Sequence, residues 1–255
     1  MPFPPLRPHA AFERFRFDEL DSTNAFAGRW MRLAAGASEA VILSRAQTAG
    51  RGQHGREWST EAGRDLAWSY ARRFGAGVDE LDLVALNMMW AAAVLEVVER
   101  HVEGEIGLKW PNDLYVRTPT SGWRKLGGLL IEAHWRGAGC VGVVLGVGLN
   151  LRSNRRNSSW PAVSAQELGS DQLDAEAWGH ELEVAVRRTW FEPADRERYR
   201  KRLLFRGEPR DFEVNGQRLR GAFLDALDDG RGRFVWADGV ADHEQGSVRW
   251  CWDQG

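Results

Sequence analysis

Apolar residues recur every three or four positions along four segments of the chain, which is the spacing of an amphipathic α-helix. The second segment is the longest, and its apolar period is unbroken. Asp21 or Ser22 lies just before the first segment, where a side-chain oxygen can cap the opening turn. The four predicted helices fall within 26–33, 81–102, 172–191 and 194–204.

Alternation of apolar and polar residues predicts β-strands between these helices. Phe15 and Phe17 alternate with charged residues in a short strand that ends at Asp21, and apolar side chains alternate again over 66–70. A tight turn over 136–139 predicts that the two strands beside it form an antiparallel hairpin. The further predicted strands are 40–44, 105–110, 126–135 and 139–149.

The pattern changes after Gly207 to short alternating runs separated by turn residues such as Asn215–Gly216 and Asp238–Gly239. Short strands at such close spacing are typical of a small all-β barrel or sandwich. We therefore predict two domains, 1–206 and 207–255. The aromatic residues of the second domain predict a small hydrophobic core of its own.

The composition is that of a globular protein, because 43% of the 255 residues are hydrophobic and 27% are charged. A net charge of −2 gives no reason to expect nucleic acid as the main partner. The two cysteines cannot form a disulfide framework, the N-terminus lacks the apolar stretch of a signal peptide, and no apolar run is long enough to span a membrane. We therefore expect a cytoplasmic protein with no membrane partner.

The segment GRGQHGREW, residues 50–58, contains the clearest candidate chemistry. Its glycine spacing matches a dinucleotide-binding fingerprint, but no apolar helical period follows it, as that fingerprint requires. A mobile surface loop is the plain alternative. Arg51 and Arg56 favour a functional loop, since glycines let the backbone approach an anion and arginine suits phosphate and carboxylate oxygens.

The segment KWPND, residues 109–113, is either a turn at a strand end or part of an anion site. Lys109 could be a solvated strand residue. Asp113, at a strand end near several cations, is also where a magnesium ion would be held beside a nucleotide.

Three further segments are weaker on their own. KLGGLLIE (125–132) and GVGLN (146–150) place glycines inside strands, which indicates either a β-bulge or a close approach by another group. DSTN (21–24) is by itself only a helix cap.

Together, the order and spacing of these five segments, with Gln47 before the glycine loop and a small β domain behind, closely resemble the biotin protein ligase family. The resemblance extends from about residue 15 to residue 250. It implies an α/β catalytic domain on a mixed, largely antiparallel sheet with flanking helices, followed by an SH3-like β-barrel. It also implies that biotin and ATP form biotinyl-AMP, and that biotin then passes to a lysine of a biotin carboxyl carrier protein.

The resemblance assigns roles position by position. Arg51 and Lys125 match the catalytic cations, and Asp113 matches a position associated with Mg²⁺. The biotin-binding positions are Ser22, Thr23, Asn24, Gln47, Gly50, Arg51, Gly52, Gln53, Lys125, Gly127 and Gly128. The ATP-binding positions are Arg51, Arg56, Trp58, Lys109, Asn112, Asp113, Lys125 and Asn150.

The chain departs from the commonest family pattern in two places. Many members have arginine where this chain has Gln53, which weakens the expected hold of the loop on the adenylate. Only about fourteen residues precede the first predicted strand, so we expect no N-terminal DNA-binding helix-turn-helix. A homodimer is compatible with the resemblance. Lipoate protein ligase is the nearest alternative enzyme, and a biotin-sensing regulator is an alternative of another class.

Overall fold

The computed structural model describes residues 11–33, 37–153, 161–192 and 195–251. Within these ranges the chain forms a seven-stranded sheet, a five-stranded sheet and four α-helices. Strands β1 to β7 of the larger sheet are Ala11–Phe17, Ala37–Ser44, Leu66–Val78, Ile106–Lys109, Asp113–Thr118, Gly122–Arg136 and Gly139–Leu149. Helices α1 to α4 are Thr23–Leu33, Leu83–Glu99, Ala175–Arg188 and Arg196–Arg200. Strands β8 to β12 of the smaller sheet are Pro209–Val214, Gln217–Ala226, Gly232–Trp236, Gly239–His243 and Val248–Trp250.

The larger sheet has the strand order β1-β2-β3-β7-β6-β5-β4. β1 and β2 are parallel and are joined through α1, whereas the other neighbouring strands are antiparallel. The predicted fold class, an α/β fold on a mixed and largely antiparallel sheet, is confirmed. The predicted hairpin is confirmed as well, with Arg136 paired to Gly139.

Helices cover both faces of the larger sheet, as the alternation within its strands requires. Ala40 and Ile42 pack with Ala27 and Trp30 of α1. Val41, between them, belongs to the main core with α2 on the opposite face. α2 is buried almost all round, which explains why apolar residues occupy nearly its whole circumference. Asp82 caps this helix, since its side chain accepts a hydrogen bond from the Ala85 amide at 2.8 Å.

The smaller sheet is antiparallel and has the order β11-β10-β9-β8-β12, which confirms the predicted small β domain and is compatible with an SH3-like barrel. Its rings pack on one another, as Phe212 does on Phe234 with ring centroids 5.3 Å apart, and they also contact the larger sheet. Trp110, at the end of β4, stacks on Phe223 and meets Phe234 edge-on, with ring centroids 5.9 Å apart in both pairs. The smaller sheet therefore has an aromatic core, as predicted, and this core is continuous with that of the larger sheet. The domain boundary at 206–207 stays a prediction.

Two predicted elements differ from the structure, and one strand was not predicted. The first strand ends at Phe17 and not at Asp21, and β5 follows KWPND where only a turn was expected. The last predicted helix is shorter, because the chain leaves α4 to pair with β4: the Leu108 amide donates to Arg202 O at 2.8 Å, and the Leu204 amide donates to Leu108 O at 2.9 Å. The sequence also predicts a loose leader over residues 1–11; Ala11 instead begins β1, and residues 1–10 lie outside the described ranges. No helix in those ranges has both the length and the apolar character needed to cross a membrane.

Candidate active site

A cavity of about 640 Å³ lies at the end of the larger sheet where β1, β2 and β7 finish. The start of α1, the glycine loop after β2 and the turn between β4 and β5 contribute to its wall. β6, β7 and β12 complete it. The cavity therefore collects all five motif segments, and it also takes one wall from the smaller sheet.

Hydroxyl and amide groups form one end of this cavity. Ser69, on β3, donates to Asn24 Oδ1 at 2.6 Å and contacts Thr23 Oγ1 at 2.7 Å. Gln47 Oε1 accepts from the Thr23 amide at 2.8 Å. Ser22 caps α1 through its contact with the Ala25 amide at 3.4 Å. The DSTN segment thus acts both as a helix cap and as a preorganised polar surface.

Two glycines of β7 make room for side chains at the cavity. A Cβ at Gly146 would lie 2.3 Å from Asn24 Oδ1, and a Cβ at Gly148 would lie 2.4 Å from Trp58 Cε2. The pairing of β7 with both neighbours is regular here, so the glycines of GVGLN mark close approaches and not a bulge. In KLGGLLIE the register with β5 does shift, between Lys125 and Gly127.

The glycine loop folds back on itself as a narrow hairpin. The Trp58 amide donates to Gly50 O at 2.9 Å, and the Gly52 amide donates to Arg56 O at 2.7 Å. One 3-10 turn, Gln53–Gly55, forms the tip, and no α-helix opens there as a dinucleotide fingerprint requires. The loop therefore projects its side chains over the cavity, and Arg51 Nη2 reaches Glu132 at 3.2 Å.

Two lysines and an aspartate form the opposite, cationic end. KWPND closes the turn between β4 and β5, so Lys109 pairs in register with Asp113. The Asp113 carboxylate lies 2.9 Å from Lys109 Nζ and 2.6 Å from Lys125 Nζ. Lys109 Nζ also lies 5.8 Å from the Trp250 ring centroid, and Lys125 Nζ lies 5.8 Å from that of Trp58.

Burial and charge act in opposite directions on this group. Burial lowers the pKa of Lys109, and Asp113 opposes that shift. Burial alone would raise the pKa of Asp113, but the two ammonium groups outweigh it and hold that pKa well below its usual range. Two lysine side chains thus face one carboxylate, an arrangement that suits an anionic ligand.

Two asparagines hold the backbone around the cavity. Asn112 Nδ2 donates to Leu129 O, and Asn150 Nδ2 donates to Val163 O at 3.2 Å. Asn150 Oδ1 is buried and, among the residues the structure describes, has no hydrogen-bond partner.

Comparison with known proteins matches residues 16–150, more than half of the chain, to the model of the biotin/lipoate A/B protein ligase family. The chain belongs to this family.

Curated relatives include the biotin–[acetyl-CoA-carboxylase] ligase of Paracoccus denitrificans, 35% identical over 134 residues, which are 51% of this chain and 51% of that protein. The bifunctional ligase/repressor BirA of Escherichia coli is 29% identical over 155 residues, 59% of this chain and 45% of that protein. The chain thus spans about half the length of the curated relatives it matches. The solved biotin protein ligase of Aquifex aeolicus in complex with biotin and ATP shares the fold, with a TM-score of 0.73 at 19% identity over 94% of this chain and 99% of that chain.

The cavity of this family member brings together most of the residues expected from the resemblance. Gly50 and Gly127 are exceptions, since neither lines it. A Cβ at Gly50 would lie 2.2 Å from Trp58 O, and one at Gly127 would lie 2.3 Å from Gly148 O. Both glycines allow backbone segments to pack closely, and their expected contact with biotin stays a prediction. The expected site residues that line the cavity are Ser22, Thr23, Asn24, Gln47, Arg51, Gly52, Gln53, Arg56, Trp58, Lys109, Asn112, Asp113, Lys125, Gly128 and Asn150.

Several cavity residues of this ligase-family chain were not expected from the sequence. Arg249 and Trp250 reach the cavity from β12, about 120 residues after the KLGGLLIE segment of β6. Ser69 on β3 and Glu132 on β6 do not line the cavity themselves, but both form hydrogen bonds with Asn24, which does. Only Glu132 had a local signal, because it ends the KLGGLLIE segment.

Proposed function

We propose that the chain is a biotin protein ligase, which activates biotin with ATP to form biotinyl-AMP and then transfers biotin to a lysine of a carrier protein. Family membership supports this proposal. So do the names of the curated relatives, which include biotin–[acetyl-CoA-carboxylase] ligases from Paracoccus denitrificans and Mycobacterium tuberculosis. The site assignments and the biotin carboxyl carrier protein as acceptor are part of the proposal.

The observation that carries the proposal is the polarity of the cavity. One end presents the hydroxyls and amides of Thr23, Asn24 and Gln47, which suit an uncharged ring with donors and acceptors. The other end presents Lys109 and Lys125, which suit phosphates. Arg51 enters from the loop above. A carboxylate joined to a neutral ring can thus meet a nucleotide within one cavity.

The first step needs no side-chain nucleophile, because the biotin carboxylate is one already. One carboxylate oxygen attacks the α-phosphorus of ATP, the bond from that phosphorus to the bridging oxygen breaks, and pyrophosphate leaves. Arg51, Lys109 and Lys125 hold the two anions together and stabilise the charge on the transferring phosphorus.

In the second step a neutral lysine amine of the carrier attacks the acyl carbon. The bond from that carbon to the phosphate oxygen breaks, AMP leaves, and the surplus proton of the new amide nitrogen passes to solvent. The glycine loop over the cavity limits access of water to the mixed anhydride.

Magnesium is part of the proposal, and Asp113 is the carboxylate that would face it. Both Asp113 oxygens accept from lysines, and no group of three or more metal-ligating side chains occurs in the residues the structure describes. This set fits an ion carried in on the triphosphate, since Mg²⁺ commonly takes one or two carboxylates together with phosphate oxygens and water. Bound there, the ion would neutralise phosphate charge.

The matched family covers lipoate as well as biotin ligases, so the test must separate the two acids. Pyrophosphate–ATP exchange should be measured with biotin, lipoate and octanoate offered separately. We expect exchange with biotin and Mg²⁺, and exchange at least about tenfold weaker with lipoate, because the polar end of the cavity suits a ureido ring. Equal or faster exchange with lipoate would assign the chain to the other branch.

A further inference from the structure

Glu132 links the glycine loop to the polar end of the cavity. Its carboxylate accepts from Asn24 Nδ2 at 2.7 Å and lies 3.2 Å from Arg51 Nη2. The Glu132 side chain is 28% exposed, so the contact is partly shielded from water. Asn24 is buried and is fixed in turn by Ser69. A continuous hydrogen-bonded path therefore runs from β3 through α1 and β6 to the loop.

The contact uses only part of the Arg51 guanidinium. Both carboxylate oxygens of Glu132 lie 3.2 Å from the same nitrogen, Nη2. In the described part of the chain, Arg51 makes no other side-chain hydrogen bond or ion pair. Because a guanidinium has five donors in a planar fork, Nε and Nη1 stay available to an anion in the cavity while Nη2 is held.

We propose that Glu132 is a positioning residue, which anchors Arg51 over the cavity and so presents its free donors to the substrate carboxylate. Arg51 is itself 48% exposed and lies on a glycine-rich loop, so without an anchor it would sample many orientations. Glu132 reduces that freedom from rigid strand β6, and Asn24 fixes the carboxylate in turn. The inference rests on the proposed function for its kinetic consequence, but not for the contact itself.

Glu132→Gln is the informative change, because glutamine keeps an oxygen for Asn24 Nδ2 and removes only the charge that holds Arg51. We expect the KM for biotin to rise about fivefold, the upper range for loss of a partly exposed ion pair. Glu61→Gln is the matched control. Its carboxylate pairs with Arg64 at 2.8 Å beside the loop, and it does not line the cavity.

A double-mutant cycle separates anchoring from a general structural effect. In an Arg51→Ala background, Glu132→Gln should change the KM for biotin by less than about twofold, because the anchored group is gone. A similar increase in both backgrounds would show that Glu132 acts through Asn24 or the fold, and it would overturn the proposal.

A second measurement does not depend on ligase activity. In ligand-free full-length protein, trypsin should cleave after Arg51 about threefold faster in Glu132→Gln than in wild type or Glu61→Gln, with equal melting temperatures. Unchanged cleavage would overturn the anchor even if the kinetics shifted. Faster cleavage in a protein without biotin-dependent exchange would uphold the anchor while rejecting the proposed function.

Discussion

Asp113 lies between two lysines in the cavity, and another aspartate, Asp228, lies between two arginines at the surface. Asp228 pairs with Arg196 at 2.8 Å and with Arg200 at 2.7 Å, but its side chain is 72% exposed, against 17% for Asp113. Exposure decides how much such a group contributes, since water and ions screen the exposed pair. A comparison of the two aspartates therefore measures how burial changes the contribution of such a carboxylate to stability.

We predict that Asp113→Asn lowers the free energy of unfolding at pH 7 by about 2–3 kcal/mol. This is somewhat less than the roughly 3–5 kcal/mol for breaking a fully buried pair, because some exposure remains. Asp228→Asn, the control, should lower it by less than about 1 kcal/mol. Urea unfolding of both variants measures the difference. Equal effects would show that the lysine pair in the cavity is no better shielded than the surface pair.

The pH dependence of this stabilisation follows from the direction of the pKa shift. The pKa of Asp113 is lower in the folded chain than its ordinary value of 3.8, so the carboxylate stabilises the fold above about pH 4 and loses this effect as pH falls below it. The difference between wild type and Asp113→Asn should thus be constant from about pH 5 to 8 and shrink in stronger acid. A difference that grows in acid would contradict the assigned shift.

At the scale of elements, local patterns predicted what depends on neighbours in sequence. The buried strand at 40–44 and the longest helix were found from their apolar residues, and the hairpin of β6 and β7 from its turn. β5 was missed because the turn signal of WPND hides a strand that begins at Asp113 and spans only 6 residues. The end of the last helix was missed because pairing of 202–204 with β4 is a tertiary contact.

The cavity residues likewise divide into those that local sequence patterns indicate and those that only tertiary packing brings to the site. Motif residues could be assigned by resemblance, whereas Ser69 carries no motif and is recruited only because β3 runs beside α1. Trp250 depends on how the smaller sheet docks. No pattern in a single sequence contains that information.

The glycine loop is the element for which the sequence makes a testable dynamic prediction. It has three glycines and no large aliphatic residue over 48–57, so it has little surface to bury. We expect it to open readily without ligand and to be ordered when biotin and ATP supply anions for Arg51 and Arg56. Limited trypsin digestion should cut after both arginines in free protein, and biotin with ATP should slow this about tenfold or more.

The control for the loop experiment is a cleavage site away from the cavity. Arg218 is exposed in β9, so its cleavage should be insensitive to ligand. Protection at Arg218 equal to that in the loop would indicate global stabilisation by ligand rather than ordering of the loop.

The two sheets of the molecule share one hydrophobic core. Phe205 contacts Tyr115 and Trp250, and Trp110 contacts Phe223 and Phe234. Tyr115 lies in the larger sheet, and Trp110 directly follows its strand β4. The residues of the smaller sheet are Phe223, Phe234 and Trp250, and Phe205 lies between the two sheets in the chain, after α4. The smaller sheet thus completes the core and, through β12, one wall of the cavity.

A chain truncated near Gly207 would test how far the larger sheet depends on the smaller one. Such a truncation would expose Trp110, which is only 2% exposed in the full chain, together with Phe205, which is 4% exposed. Loss of the partners of a single buried Trp or Phe costs about 3–5 kcal/mol, against a typical total stability of about 5–15 kcal/mol. We therefore predict that the truncated chain unfolds or aggregates near room temperature.

A point variant separates loss of the shared core from loss of the whole smaller sheet. Phe223→Ala in the full chain removes the ring that stacks on Trp110, and we expect it to lower the free energy of unfolding by about 3–5 kcal/mol. Val240→Ala is the control, because Val240 is 60% exposed at the outer strand of the same sheet and should change stability by less than about 1 kcal/mol.

Denaturant unfolding followed by tryptophan fluorescence should show a single transition for full-length protein, since one core unfolds as one unit. Two separate transitions, or a truncated chain that melts like the full-length protein, would instead establish that the smaller sheet folds apart from the larger one.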